Sequence, residues 1–215
     1  MKLRLFVVSL AALGVAAVSH AQFAYAVDTG SSLYMVNLAT GGKSLIGPTG
    51  VTVMESISLS PAGNLFGASS TGNFYSISTV TGVASFVGNT GLGNLEGMDH
   101  AGTTLFVTNF LNPMSLYTVN EGTGVPTLFV TAGAPTGVVR SMAFNPAFTL
   151  AYLLGDLPTT QTLHNMTPAG TITTVGPLGS PVVAASDFDV PTGVYWALAS
   201  NGNIGNLSLV TGAMT

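Results

Sequence analysis

The chain has 215 residues, 47% of them hydrophobic and only 6% charged, with a formal net charge of −4. With four Lys and Arg in total, it lacks the clustered cations that phosphate backbones require, so no nucleic acid is expected as a partner. The absence of cysteine excludes disulfide staples and a lipid-anchored cysteine.

In chain order, residues 1–21 have the pattern of a secretory signal. Lys2 and Arg4 form a charged start, Leu5 to Val18 is an apolar run, and Ser19-His20-Ala21 places small residues at −3 and −1 before Gln22. The run is too short to prefer spanning a bilayer. Residues 22–215 are therefore expected to form one secreted, periplasmic or cell-surface domain without a transmembrane segment. That portion keeps Lys43 and Arg140 against eight acidic side chains, a net charge of −6. Its glycines and prolines are spread along the chain and punctuate many short segments, the signature of an all-β fold.

One segment recurs five times. Its copies are Leu33-Tyr34-Met35-Val36-Asn37-Leu38-Ala39-Thr40-Gly41, Phe74 to Gly82, Leu116 to Gly124, Leu163 to Gly170, and Ile204 to Gly212. The closing glycines Gly41, Gly82, Gly124, Gly170 and Gly212 lie 41, 42, 46 and 42 residues apart. Each copy alternates as a strand does, then turns on a residue that can bond the backbone and a glycine that supplies positive φ. A further run follows each turn, as in "GVASFVGNTG". Two more runs precede it, as in "SISLSPAGNLFGASS" and "SMAFNPAFTLAYLLG". Four short strands in about 42 residues predict one blade of a β-propeller, with blades stacked about an axis to cover both apolar faces.

The alternation predicts the core. In strand one, Ile57, Met98, Met142 and Phe188 form one column, and Leu59, His100, Phe144 and Val190 the next. Ser58, Asp99, Ala143 and Asp189 point to the opposite face. In strand two, Phe66, Phe106, Tyr152 and Tyr195 align with Tyr25 and are placed to fill the space between blades. The expected mature portion begins at strand two of repeat one and stops within strand four of repeat five. This predicts a ring incomplete in this chain, and an encoded product that continues beyond it.

Several residues invite a chemical reading. Asp28-Thr29-Gly30 has the look of an aspartic protease loop, but it falls between strands two and three, where other repeats have Ser70-Thr71-Gly72 and Asn201-Gly202. A hairpin turn is the expected role, because a protease needs a second carboxylate on a like loop and none follows. Glu55, Glu96 and Arg140 occupy one repeat position at the start of the innermost strand, with Ser186 and Asp187 next in the series. His164 stands in the Tyr34, Tyr75, Tyr117 column, where a packed aromatic substitute is expected. His100, next to Asp99, is expected to point away from it.

The spacing and the Asn/Ser-x-x-Thr-Gly turn resemble secreted bacterial β-propeller proteins with YVTN/NHL-like blades. The Gly/Thr/Ser-rich, Lys-poor style is similar to propellers that carry PEP-CTERM sorting tails, although these 215 residues include no such segment. The resemblance implies a non-enzymatic binding or scaffold module with a protein or glycan partner at the cell surface. Resemblance to metal-dependent propeller hydrolases and lactonases implies the alternative, a site at the central channel mouth. There Glu55, Glu96, Arg140 and Asp187 would bind ligand, and Glu55, Glu96 and Asp187 would hold a metal. Carboxylate-only ligation favours a hard ion such as calcium.

Overall fold

The computed structural model describes residues 8–9, 23–109, 113–132, 138–156, 161–179 and 183–215, and among them there is no helix. Blade one comprises β1 (Val8–Ser9), β2 (Phe23–Val27), β3 (Ser32–Asn37) and β4 (Lys43–Pro48). Blade two comprises β5 (Met54–Leu59), β6 (Leu65–Ser69), β7 (Asn73–Ile77) and β8 (Ala84–Asn89). Blade three has β9 (Leu95–Ala101), β10 (Thr104–Asn109), β11 (Ser115–Val119) and β12 (Pro126–Thr131). Blade four has β13 (Val138–Phe144), β14 (Ala151–Asp156), β15 (Gln161–Met166) and β16 (Ile172–Pro177). Blade five has β17 (Val183–Asp189), β18 (Val194–Ala199) and β19 (Ile204–Asn206). Every pairing is antiparallel between chain neighbours, giving a five-bladed β-propeller. In blade five the fourth-strand position is held by the Leu207–Met214 bridge. Most of the segment assigned to a leader lies outside the described residues, but Val8–Ser9 pairs with β2 where other blades have their innermost strand.

The turn after strand three shows why the repeat carries its signature. The Asn37 side chain accepts hydrogen bonds from the Ala39 and Thr40 amides, and Gly41, at φ 70°, donates its amide to the Asn37 carbonyl. Ser78 and Ser208 do the same for Val80 and Thr81, and for Val210 and Thr211. The turn glycine also lets neighbouring blades touch backbone to backbone. Gly47 of β4 lies against Thr81 and Gly82 of blade two, Gly88 of β8 against Thr123 and Gly124 of blade three, and Gly176 of β16 against Thr211 and Gly212 of blade five.

The core lies between blades. Val27 and Leu33 of blade one pack on Met54, Ile57, Leu65 and Ile77 of blade two. Each later pair of blades repeats the arrangement. Blade five meets blade one through Leu198, Trp196 and Ile204 against Ala24, Ala26, Val36 and Leu38, so side-chain packing closes the ring. Strand-two aromatics reach the next blade as expected: Phe66 meets His100, Phe106 meets Phe144, and Tyr152 meets Phe188, with ring centroids 6.2, 5.0 and 5.4 Å apart.

The register corrects the alignment of blade five by one residue. Trp196 pairs with Asn206 as Phe66 pairs with Ser76, so Trp196 rather than Tyr195 belongs with Phe66, Phe106 and Tyr152. Opposite them stand Asp187, Ser58, Asp99 and Ala143, and Phe188 joins Leu59, His100 and Phe144. The physical reason is that the strand one-to-two turns differ in length: Leu59 pairs with Leu65, His100 with Leu105, and Phe188 with Tyr195. An Asp-Phe-Asp string alternates equally well in either register.

The close approach at the rim is directly testable. A Cβ added to Gly88 would sit 2.0 Å from the Thr123 carbonyl oxygen, and both contacts are backbone. Gly88→Ala is expected to cost about 3 kcal/mol, as overpacking does. That corresponds to a fall of roughly 6–12 °C in melting temperature for a domain of this size, measured by circular dichroism. Gly91→Ala should cost less, because nothing stands within 4 Å of its Cβ position and only its positive φ opposes alanine.

Candidate functional site

The innermost strands β5, β9, β13 and β17 run side by side along the channel, and each carries a β-bulge near its start. The ladder skips one residue in each: Glu55, Glu96, Arg140 and Ala184. A bulge re-aims the extra side chain, which explains why one repeat position attracts polar residues. Glu55 and Glu96 are both buried, and the Asn94 side-chain amide donates to Glu96 Oε1 at 2.8 Å. The member of this series in blade five is Ala184. Asp187 lies three residues further along β17, about 10 Å at strand rise. The structure thus groups Glu55, Glu96 and Arg140 by position and places Asp187 apart from them. Among the described residues, no three His, Asp or Glu side chains gather as a metal site would need.

Asp187 instead belongs to the other end of the channel, where the turns from strand one to strand two converge. A cleft of about 180 Å³ opens there, lined by residues of blades two to five. Its walls include Leu59, Phe144, Phe148, Phe188 and Val190, and its polar groups include Asp99, His100 and Asp187. Asp99 accepts the His100 amide on Oδ1 and the Phe144 amide of the next blade on Oδ2, each at 2.7 Å. Asp187 Oδ1 accepts the Phe188 amide at 2.8 Å. Removal from water raises the Asp99 carboxyl to about 7, against the smaller opposing pull of those two amides. Tyr195, stacked on Phe188 at 4.3 Å and bonded through its hydroxyl to Ser186, is raised by burial and then further by Asp187 and Asp99. Both carboxylates therefore act on the same hydroxyl.

Phe148 marks the rim of this cleft. Its φ is 55°, in the left-handed region, where the corresponding turns of blades two, three and five have Gly63, Gly102 and Gly193. A non-glycine residue there costs roughly 1–2 kcal/mol. The residue is 40% exposed, so its own burial repays only part of that strain. Such strain at the edge of a cavity is a functional signal. The sequence signal was a bulky residue at a turn glycine position, and it passed unnoticed.

His100 points away from the Asp99 carboxylate, as strand alternation requires. Sequence reasoning missed its two actual partners. Nδ1 lies 2.7 Å from Ser58 Oγ of blade two, and Nε2 lies 3.2 Å from Glu121 Oε1 in the strand three-to-four turn of its own blade. A hydroxyl, an imidazole and a carboxylate in series have the composition of a nucleophilic triad. Ser58 is fully buried and does not line the cleft, so no substrate reaches it. The chain of bonds ties two blades together. Burial lowers the His100 pKa despite the opposing effect of Glu121. His164 occupies the tyrosine column as expected: it pairs with Thr174 as Tyr34 pairs with Leu45, and it is buried.

Asp28 is a turn residue. Oδ1 accepts the Gly30 and Ser32 amides at 2.9 Å, and Oδ2 accepts the Tyr34 hydroxyl at 3.1 Å. Three donors on a 5% exposed carboxylate account for it without catalysis.

No family model matches the chain, and no curated protein matches it in sequence. Among solved structures, the chain is similar to one from a nidogen/laminin complex, at 16% identity and TM-score 0.59 over 88% of this chain and 73% of that one. It is likewise similar to XC5397 of Xanthomonas campestris, described as a gluconolactonase, at 12% identity and TM-score 0.60 over 90% and 71%. At such identities the likeness establishes the propeller fold.

Two outcomes follow from the polar groups. Asp28→Ala removes three hydrogen bonds to a buried charge and should cost about 2 kcal/mol, seen as a fall of roughly 4–8 °C in melting temperature. Asp99 has a folded pKa above its unfolded value, so its contribution to stability is complete below about pH 4 and is lost as pH rises through about 7. The melting temperature of the parent minus that of Asp99→Asn should therefore decline between pH 4 and pH 8. The subtraction removes the opposite trend from His100, which loses stability as pH falls below its unfolded value.

Proposed function

We propose that this chain is a non-enzymatic binding module, secreted or at the cell surface, whose ligand contacts lie in the cleft at the channel end built from the strand one-to-two turns. One observation carries this reading. Phe148 holds a strained conformation that glycine adopts in the corresponding turns, and its ring stands at the rim of an apolar cleft with two aspartates. Cavities near this size take up ligands of about the size of benzene. The leader pattern of residues 1–21 and the sparse charge support a location outside the cytoplasm. The likeness to a propeller from a nidogen/laminin complex supports a protein or glycan partner beyond the cleft itself.

A second reading is hydrolysis in the same cleft, supported by the gluconolactonase neighbour and by a carboxyl poised near neutral pH. It would use Asp99 as general base rather than calcium at Glu55, Glu96 and Asp187, since the register separates Asp187 from the other two. Lactone hydrolysis that disappears in Asp99→Asn would replace the non-enzymatic reading with this one.

The binding reading is tested with benzyl alcohol as a neutral probe, titrated into the parent and Phe148→Gly and followed by NMR. The expected result is millimolar binding to the parent and at least fivefold weaker binding to the variant. The melting temperature should stay unchanged or rise by a few degrees, because relieved backbone strain offsets the lost ring contacts. Equal affinity for both proteins would remove Phe148 from the site, and no binding to either would remove the site.

A further inference from the structure

We propose that the outer edge of blades two and three is a self-association surface, on which a second copy of this chain docks about a two-fold axis near Phe86. The surface lies apart from the channel-end cleft and does not depend on it. In blades one to four, strand four is the outermost strand of its sheet. Large apolar side chains are exposed on β8 and β12 and in the residue before each, at Val83, Phe86, Val125, Leu128 and Phe129. Phe86 is 62% exposed, yet its ring sits against Tyr75 with centroids 5.9 Å apart. Phe129 meets Phe106 in the same way, at 5.3 Å. Each ring is thus held on one side and open on the other, as a contact surface needs. The two edges are continuous, because Gly88 of β8 lies against Thr123 and Gly124, which lead directly into Val125.

The repeat itself does not require these side chains. Phe86 pairs with Tyr75, and Leu128 with Tyr117, as Thr174 of blade four pairs with His164. Blade four has Thr171, Thr173 and Thr174 exposed along the same edge. In blade one, Gly42 and Lys43 start the edge, with the Lys43 ammonium over the Tyr34 ring. The apolar surface is therefore bounded by a charge on one side and by hydroxyls on the other. Outermost strands are commonly blunted by charge or proline. Lys43 and Pro48 do this in β4, Pro126 in β12 and Pro177 in β16, whereas β8 has neither. A bulge at Val87 interrupts β8, so side chains rather than a long backbone ladder would carry the contact.

Area and charge both favour a second copy as the occupant. With roughly 100 Å² left open on each, the five side chains present on the order of 500 Å² of apolar surface. That is as large as the largest patch on a typical monomer, about 300–600 Å², where function is the usual cause. The same face on a second copy, with the flanking Ser85 and Thr127, supplies much of the about 800 Å² per partner that a stable interface buries. Neither β8 nor β12 carries a charged residue, so two copies meet there without like-charge repulsion. Glu121, the charged group nearest to Val125 in the chain, is bonded to His100. A two-fold contact asks only that one patch match itself, which uncharged apolar side chains do. An anionic membrane fits less well, since both strands lack Lys and Arg and the chain has a net charge of −4.

Sedimentation velocity of the full chain, from about 1 to about 200 μM, tests this. The expected result is a monomer–dimer equilibrium of micromolar affinity, little changed between low and high salt because the contact is apolar. Phe86→Thr combined with Leu128→Thr gives both blades the residue of blade four. It should weaken dimerisation at least tenfold and leave the melting temperature within a few degrees of the parent. Thr173→Asp, on the edge of blade four, should leave dimerisation unchanged. A parent that stays monomeric throughout overturns the proposal, and flotation of that monomer with phosphatidylcholine vesicles would assign the patch to a lipid surface instead. A double variant that dimerises as tightly as the parent, or equal weakening by Thr173→Asp, also overturns it. Hydrogen exchange locates the contact on the unmodified protein: residues 83–89 and 125–131 should exchange more slowly as concentration rises. Slowing confined to other segments would place the interface elsewhere and end the assignment, whether or not the variants fold.

Discussion

Each blade of this protein has two apolar faces and only one chain's worth of strands, so no blade can satisfy its own faces. Everything else follows from covering each face with the next blade. Aromatic side chains of strand two reach across to strand one of the neighbour, from Phe66 to His100, Phe106 to Phe144 and Tyr152 to Phe188. At the rim the approach is so close that backbone meets backbone, and Gly47, Gly88 and Gly176 are required for lack of a Cβ. At the channel, Gly97 plays the same part against Met142. Such a core is sheet against sheet, with aromatic and branched residues filling the gap.

The same stacking explains how a chain with so few charges deals with them. Several of its carboxylates are drawn inside and held by backbone amides and hydroxyls. Asp28 closes the first hairpin, Asp99 links blade three to blade four, and Asp189 accepts the Thr192 hydroxyl. Hydrogen bonds from fixed amides replace part of the lost hydration, which makes these carboxylates architectural where they are saturated. Asp99 and Asp187 also line the cleft. Linking blades and facing a cavity are compatible at Asp99, since one carboxylate has more acceptor directions than two amides use.

The repeat could be read from the chain because its causes are local. A side chain that bonds the turn and a glycine with positive φ leave the same mark five times, at Gly41, Gly82, Gly124, Gly170 and Gly212. Alternation marked the buried columns, and the turn reading of Asp28 needed only comparison with Gly72 and Gly202. The polar position at Glu55, Glu96 and Arg140 was also visible, although its cause, a bulge in each innermost strand, was not. In blade five the reading slipped by one residue, because Asp187-Phe188-Asp189 offers the same alternation either way. Only pairing across a turn of particular length fixes which aspartate faces which neighbour.

The amino-acid order by itself therefore determined the strand content, the blade period and, outside blade five, most of the buried columns, since each depends on interactions within a few positions of the chain. The tertiary structure alone decided that Asp187 shares a cleft with Asp99 instead of a rim with Glu55 and Glu96. It also decided that His100 bonds Ser58 and Glu121, and that Phe148 stands over a cavity where its turn would otherwise favour glycine. The physical reason is the same in each case: these contacts join different blades or the ends of unequal turns. Their geometry is set by how the sheets pack about the axis, which no local pattern encodes.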